Sequence, residues 1–167
     1  MPNSDIFIGI DPGTAITGYG AIRVSKKSSL PEVLEYGVIR TASRLPDSTR
    51  LSEIYNALSE LLIKYKPIAV GCEKIFFSKN IKTASAVSHA RGVILLAIDQ
   101  HGAKLVELTP PQVKNAITGY GSADKKQVQY MTQQILQLKS IPKPDDAADA
   151  LAIAITTSSL MNNPAEI

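Results

Sequence analysis

A chain of 167 residues with 44% hydrophobic and 20% charged side chains has room for one domain, residues 1–167, and enough apolar content for a core. Roughly 68–70% of the unfolded surface is buried on folding at this size, so no cross-links are needed. The single Cys72 excludes an internal disulfide and any multi-cysteine metal site. Net charge is +3 but unevenly spread: residues 1–73 balance, residues 74–143 hold 10 Lys+Arg against 3 Asp+Glu, and residues 144–167 hold four acids and no base. That distribution suits an anion-binding surface beside a group of carboxylates; lysines that merely solubilise the fold are the alternative. The N-terminus Met1-Pro2-Asn3-Ser4-Asp5 has neither the basic nor the apolar region of a secretory leader, and no run of about 18 apolar residues follows it. The expectation is a cytoplasmic protein with no membrane span.

In chain order, Asp5 to Asp11 is a β-branched and aromatic run stopped by Pro12-Gly13, a strand that ends on a carboxylate. Thr17 to Val24 and Val33 to Arg40 read as two further strands of an antiparallel meander, with a polar turn between them. Leu51, Ile54, Tyr55, Leu58, Leu61, Leu62 and Tyr65 recur at spacings of three and four, which predicts an amphipathic helix closing before Pro67. Such a crossover returns the chain to a parallel strand. That strand is the apolar run Ile68 to Cys72, ending at a second carboxylate, Glu73. An Ala-rich helix from Lys82 to Gln100 and a short strand, Lys104 to Leu108, follow. Thr109-Pro110-Pro111 looks like a cap and helix start. A helix from about Ser122 to Leu138 comes next, then a last helix from about Asp145 to Leu160, apolar nearly all round. The pattern is one α/β domain with a mixed sheet flanked by helices.

Asp146 and Asp149 stand three apart and project from one helix face, in a segment otherwise suited to burial. Acids near a helix N-terminus also interact favourably with its dipole, by about 0.3–1 kcal/mol each, so either alone says little. The ends of the first and fourth strands are expected on one sheet edge, where ligands of α/β folds bind. If the last helix crosses that edge, Asp11, Glu73, Asp146 and Asp149 converge. Four carboxylates together call for hard divalent cations, which support phosphodiester cleavage. With a basic belt nearby, the chemistry is that of a metal-dependent nuclease. Cys72 reads as core rather than nucleophile. His89 and His101 have no carboxylate at a spacing that suggests a triad.

The chain resembles Holliday-junction resolvases of the RuvC family. The likeness is carried by Gly9-Ile10-Asp11-Pro12-Gly13 with Thr17-Gly18-Tyr19-Gly20, by Glu73-Lys74-Ile75-Phe76 and by Ala90-Arg91-Gly92. Pro111-Gln112-Val113-Lys114, Gly121-Ser122-Ala123-Asp124-Lys125 and Asp146-Ala147-Ala148-Asp149-Ala150-Leu151-Ala152 continue it. The resemblance implies a ribonuclease-H-like fold with a five-stranded mixed sheet. It also implies catalytic, metal-binding roles for Asp11, Glu73, Asp146 and Asp149 with two Mg²⁺ ions (Mn²⁺ can substitute). Symmetric nicking of four-way DNA junctions by a homodimer would then leave 5′-phosphate and 3′-hydroxyl ends, in recombination and repair. Lys114 and Lys125 match basic residues near the DNA, and Phe76 matches an aromatic that stacks on opened bases. A branch-migration motor of the RuvA and RuvB type is the implied partner, and the Ala-rich helix is a candidate dimer element. Competing readings are another ribonuclease-H-like nuclease, a non-catalytic junction-binding protein, and an actin-like phosphotransferase, for which one domain is too short.

Overall fold

The computed structural model describes residues 4–25, 27–28, 30–75 and 81–162, with the side chains of residues 81–83 left aside. The elements run β1 (Ser4–Asp11), β2 (Ile16–Ser25), β3 (Glu32–Arg40), α1 (Asp47–Tyr65), β4 (Ala69–Glu73), α2 (Ile81–Gln100), β5 (Lys104–Leu108), α3 (Pro110–Thr118), α4 (Lys125–Ile135) and α5 (Asp145–Asn162). They form one five-stranded sheet in the order β3-β2-β1-β4-β5. β1 to β3 are the antiparallel meander, while β4 pairs parallel to both β1 and β5. The C-terminal ends of β1 and β4 therefore lie at one edge of the sheet, as their sequence pattern leads one to expect.

Alternation along the strands divides the core into two layers. Ile8, Ile10, Val70 and Cys72 face one side and pack with Ile54, Leu58, Ile94 and Ile98 of α1 and α2. Phe7, Ala69 and Leu108 face the other, against Leu151 to Ile155 of α5 and Val113 and Val128 of α3 and α4. By parity Asp11 shares its face with Phe7, and Glu73 shares its face with Ala69. Both acids belong to the α5 side.

α5 lies unusually close to the sheet because the sheet is notched beneath it. Gly9 pairs with Gly20 on one side and with Gly71 on the other, making a row of glycines across three strands. A Cβ at Gly9 would overlap the Ala150 carbonyl oxygen and the Ala154 backbone nitrogen; one at Gly71 would overlap the Thr157 hydroxyl. The facing helix is correspondingly small-featured, with Ala147, Ala148, Ala150, Ala152 and Ala154 all buried. Thr156 and Thr157 are buried too, and their hydroxyls donate to the carbonyls of Ala152 and Ile153 at 2.8 and 2.7 Å, so their burial leaves no hydroxyl unpaired.

Most boundaries differ from the sequence reading by a residue or two, and three of the differences bear on the local structure. α1 begins at Asp47, ahead of the first periodic leucine. α4 is Lys125–Ile135 rather than Ser122 to Leu138. Asp124 caps it by accepting from the Gln127 N–H, while the Gln127 side chain accepts from the Asp124 N–H, and the chain leaves helical geometry at Gln137, φ 51°. β4 begins at Ala69, leaving Ile68 partly exposed.

Replacing Gly9 with Ala is expected to push α5 off the sheet and destabilise the fold by about 1–3 kcal/mol or more. Urea unfolding checks this; a midpoint equal to that of the parent would refute the close-packing account.

Candidate active site

Asp11 is the last residue of β1 and pairs with Gly18 on β2. A Cβ at Gly18 would overlap the carbonyl oxygen of Asp146, so the first turn of α5 rests directly on this pair. β1 and β4 are in register through Ile10 and Cys72, and the next step places Asp11 beside Glu73. Asp149, one turn along α5 from Asp146, completes the group. A cleft of about 180 Å³ opens here, with Glu73, Asp149, Lys114 and Lys125 on its walls and Val113 and Val128 as its apolar side. Six of the seven residues singled out from the sequence are thus brought to one end of the sheet. The seventh, Phe76, lies outside the described residues, as does Phe77.

The acids perturb one another. Burial first, then the charges of Glu73, Asp149 and Asp146, push the Asp11 carboxyl up to about 7, against the opposing pull of Lys125. Glu73 is raised by burial and by Asp149, with Lys114 and Lys125 drawing it back. Asp149 is also raised, chiefly by burial, although Lys125 opposes the shift. The Lys125 ammonium stands 3.0 Å from Asp149 Oδ2 and 3.7 Å from Asp145 Oδ2. Burial works against that ammonium, but its bond to Asp149 and the surrounding negative charge outweigh it, so Lys125 holds its proton more tightly than usual.

The donor set is oxygen only, the chemistry that suits hard divalent cations. Carboxyls this desolvated and mutually repelling are stabilised by any cation that enters. Among the described residues no three Asp, Glu, His or Cys side chains close as ligands on a common point. Lys125 is the positive charge in contact with Asp149 here. Asp11, Glu73, Asp146 and Asp149 could hold a cation once that lysine yields.

Several supporting residues escape a reading of sequence alone. The loop after Asp11 is pinned by Thr17 Oγ1 donating to the Gly13 carbonyl at 2.6 Å and by Thr14 Oγ1 donating to the Ala86 carbonyl of α2 at 2.6 Å. Thr41 Oγ1 donates to the Thr14 carbonyl and accepts from Arg50 Nε at 2.9 Å. Arg91 of α2 donates from Nε to the Glu73 carbonyl at 3.2 Å and pairs through Nη2 with Glu107. The bonds from Thr14 to Ala86, from Thr41 to Thr14 and from Arg91 to Glu73 join residues 72, 27 and 18 positions apart and leave no local pattern in the sequence. The remaining candidates for chemistry stand apart. Cys72 is fully buried, which pushes its thiol up to about 12. His101 Nδ1 donates to the Ala97 carbonyl at 2.8 Å, and His89 is exposed; neither lines the cleft.

The family model described as crossover junction endodeoxyribonuclease RuvC matches residues 7–157. The chain belongs to the RuvC family. The crossover junction endodeoxyribonuclease RuvC of Brevibacillus brevis is 52% identical over 149 residues, 89% of each chain. Among solved structures, Thermus thermophilus RuvC matches with a TM-score of 0.89 at 34% identity, covering 95% of this chain and 96% of that one. The same organism's RuvC in complex with Holliday junction substrate matches at 0.85 and 32% identity, with 95% of each chain covered. The fold is therefore ribonuclease-H-like, as the resemblance implied, and RuvC-family membership makes the chain an endonuclease by kind. No helix among the described residues is long and apolar enough to cross a membrane.

The shifts set a direction for stability. Asp11 titrates in the folded chain near 7 rather than near 3.8, so its contribution is fully present at pH below about 4 and is lost as pH rises through about 7. Metal-free protein is expected to melt at a lower temperature at pH 8 than at pH 5.5, and Asp11→Asn should flatten that slope. Thermal melts in EDTA across this range check it; a parent slope that the variant retains would show that Asp11 is not its source.

Proposed function

We propose that this chain resolves four-way DNA junctions by nicking two strands of like polarity symmetrically, leaving 5′-phosphate and 3′-hydroxyl ends that ligase can seal. The observation that carries the reading is the meeting of Asp11, Glu73, Asp146 and Asp149 at one end of the sheet, beside Lys114 and Lys125. It is supported by the family and by the RuvC relative whose structure holds a Holliday junction substrate. Asp11, Glu73, Asp146 and Asp149 are the catalytic acids and would hold two Mg²⁺ ions, with Mn²⁺ as a substitute. When bound, such ions make water a competent nucleophile and stabilise the leaving oxygen.

The rest follows from the chain's own side chains. Lys114 and Lys125 approach the DNA backbone as point charges, adding affinity but little sequence information. Lys125, paired with Asp149 at 3.0 Å, would exchange that carboxylate for a phosphate when the cation is held. Asp11, whose carboxyl is pushed up to about 7, would have to give up its proton to hold a cation, so binding would be accompanied by proton release. Phe76 follows the end of β4 by three residues in sequence, and we assign it to stacking on bases opened at the junction. A carboxylate cluster facing phosphates is a burden for a protein that only binds DNA, which favours a nuclease over a purely architectural role.

The unit is a single nuclease domain spanning the chain, working in the cytoplasm as a homodimer alongside a branch-migration motor of the RuvA and RuvB type. Pairing through α2 is supported by its outward stripe of Ser85, His89, Gly92 and Leu96, of which Leu96 is 50% exposed and Gly92 has open space above it. Leu96→Glu is expected to yield monomers in sedimentation velocity and to uncouple the two nicks; a dimer that persists would move the interface elsewhere.

The deciding experiment is a denaturing-gel assay on a mobile synthetic four-way junction, with linear duplex and RNA–DNA hybrid as controls, in Mg²⁺ and in EDTA. Paired, ligatable nicks on the junction alone, absent in EDTA, are expected. Asp11→Asn, Glu73→Gln, Asp146→Asn and Asp149→Asn should each lower the rate by a factor of about a hundred or more, the scale of losing an electrostatic stabiliser, while junction binding persists. Cleavage of the hybrid instead, or binding without nicks, would overturn the reading.

A further inference from the structure

The carbonyl of Glu73 has an unusual place in the sheet. On the β5 side the ladder continues past the end of β4, because the Lys74 N–H donates to the Leu108 carbonyl at 2.7 Å. Across a trans peptide the N–H and the preceding C=O point in opposite directions. The Glu73 carbonyl therefore faces β1. Continuing the parallel register beyond Ile10 and Cys72 brings Pro12 to the position that would donate to it. Proline has no N–H. The turn that ends β1 just after Asp11 thus withdraws the ladder donor from the residue that carries the second acid.

Arg91 supplies the missing donor. It reaches from α2, on the sheet face opposite α5, and its Nε donates to the Glu73 carbonyl at 3.2 Å. Its Nη2 is paired with the Glu107 carboxylate, which lies next to this strand end because Glu107 is in register with Cys72. The Arg91 side chain is only 18% exposed. A planar guanidinium with donors in a fixed fork can hold two acceptors at a set separation; an ammonium is a single point of charge. One end of the fork is fixed on β5 and the other on the backbone of the acid.

We propose that Arg91 is a positioning residue for the cation site: by replacing the donor that Pro12 lacks, it fixes the end of β4 and with it the direction of the Glu73 carboxylate. The proposal rests on the reading of Glu73 as a cation-holding acid and goes beyond it, since Arg91 does not line the cleft. Loss of this fork lets the last residue of β4 swing, and the site loses cation affinity without losing its binding surface for the junction.

The test uses the full-length protein as Arg91→Gln, Arg91→Lys, Glu107→Gln and, as a control, Glu73→Gln. Mn²⁺ affinity without DNA is read by calorimetric or paramagnetic titration, the Mg²⁺ dependence of nicking is read on the junction, and junction affinity is read in EDTA. Arg91→Gln should weaken Mn²⁺ binding about tenfold, the scale of losing a group that orients a metal ligand, with junction affinity within about twofold. Arg91→Lys keeps the charge but not the fork, and should recover only part of the loss. Glu107→Gln leaves the bond to Glu73 intact while removing its anchor, so a smaller weakening is expected. It also keeps the question open to measurement should Arg91→Gln fold poorly. Unchanged Mn²⁺ affinity in the Arg91 variants, while Glu73→Gln abolishes it, would overturn the proposal. A Glu73→Gln protein that binds Mn²⁺ and nicks normally would instead overturn the reading of Glu73 on which the proposal stands.

Discussion

The close seating of α5 on the glycine row Gly20, Gly9, Gly71 is the contact on which the rest depends. It brings a helix backbone nearer to the sheet than ordinary side chains permit, so the first turns of α5 can lie across the ends of β1 and β4. Without it, Asp146 and Asp149 would stand off from Asp11 and Glu73 by at least a side-chain layer. The arrangement forgoes large interdigitating residues on one of the main faces of the core, and the alanines of α5 match it. The larger side chains of this face use the space the glycines leave, Leu151 over Gly20 and Ile153 over Gly71, and Phe7 and Ile22 are fully buried as well. A carboxylate site held by backbone-to-backbone contact has little freedom to relax, which suits groups that must act in a fixed relation.

That rigidity has an electrostatic consequence. Acids forced together and partly desolvated cannot all ionise cheaply, and Asp11 registers the strain by titrating near neutrality. Lys125 relieves part of it from the start of α4, where the reciprocal cap of Asp124 and Gln127 fixes the turn that carries it. Its partner Asp145 also pairs with Lys143 at 3.0 Å, so the mouth of the site is a chain of alternating charge. These exposed pairs are individually weak. They contribute less to stability than to keeping a positive group within reach of the place where a phosphate would arrive.

The strands, the crossover helix and the four acids were legible because each leaves a local mark: a β-branched run ending in a carboxylate, apolar spacing of three and four, and two aspartates on one face of an alanine-rich segment. The shared edge of β1 and β4 followed from the handed crossover between them. The glycine row was not legible as such. Gly9, Gly20 and Gly71 lie on three strands, and only the register shows that they are neighbours. The start of α4 was misplaced for a related reason: Ser122 is as good a capping type as Asp124, and the reciprocal bonds to Gln127 decide between them. Arg91 sits among alanines and aliphatics in α2 with no periodic partner, so its role emerges only when Pro12 and Glu73 are seen to face each other.

The two faces of the sheet consequently carry different duties. On the α5 face lie the acids and the lysines, the groups that would meet cation and phosphate. The opposite face, under α1 and α2, holds large aliphatic side chains and Cys72, inert by burial. The loop after Asp11 and the end of β4 are the places where the two communicate, through Thr14 to Ala86 and through Arg91 to Glu73. Both links run to α2, the helix whose outer stripe is left free in the single chain. A disturbance of α2 thus reaches the loop after Asp11 and the backbone of Glu73 together, while α1 is linked to the same loop through Arg50, Thr41 and Thr14. If two chains pair through α2 as proposed, these bonds would carry the effect of assembly to the carboxylates.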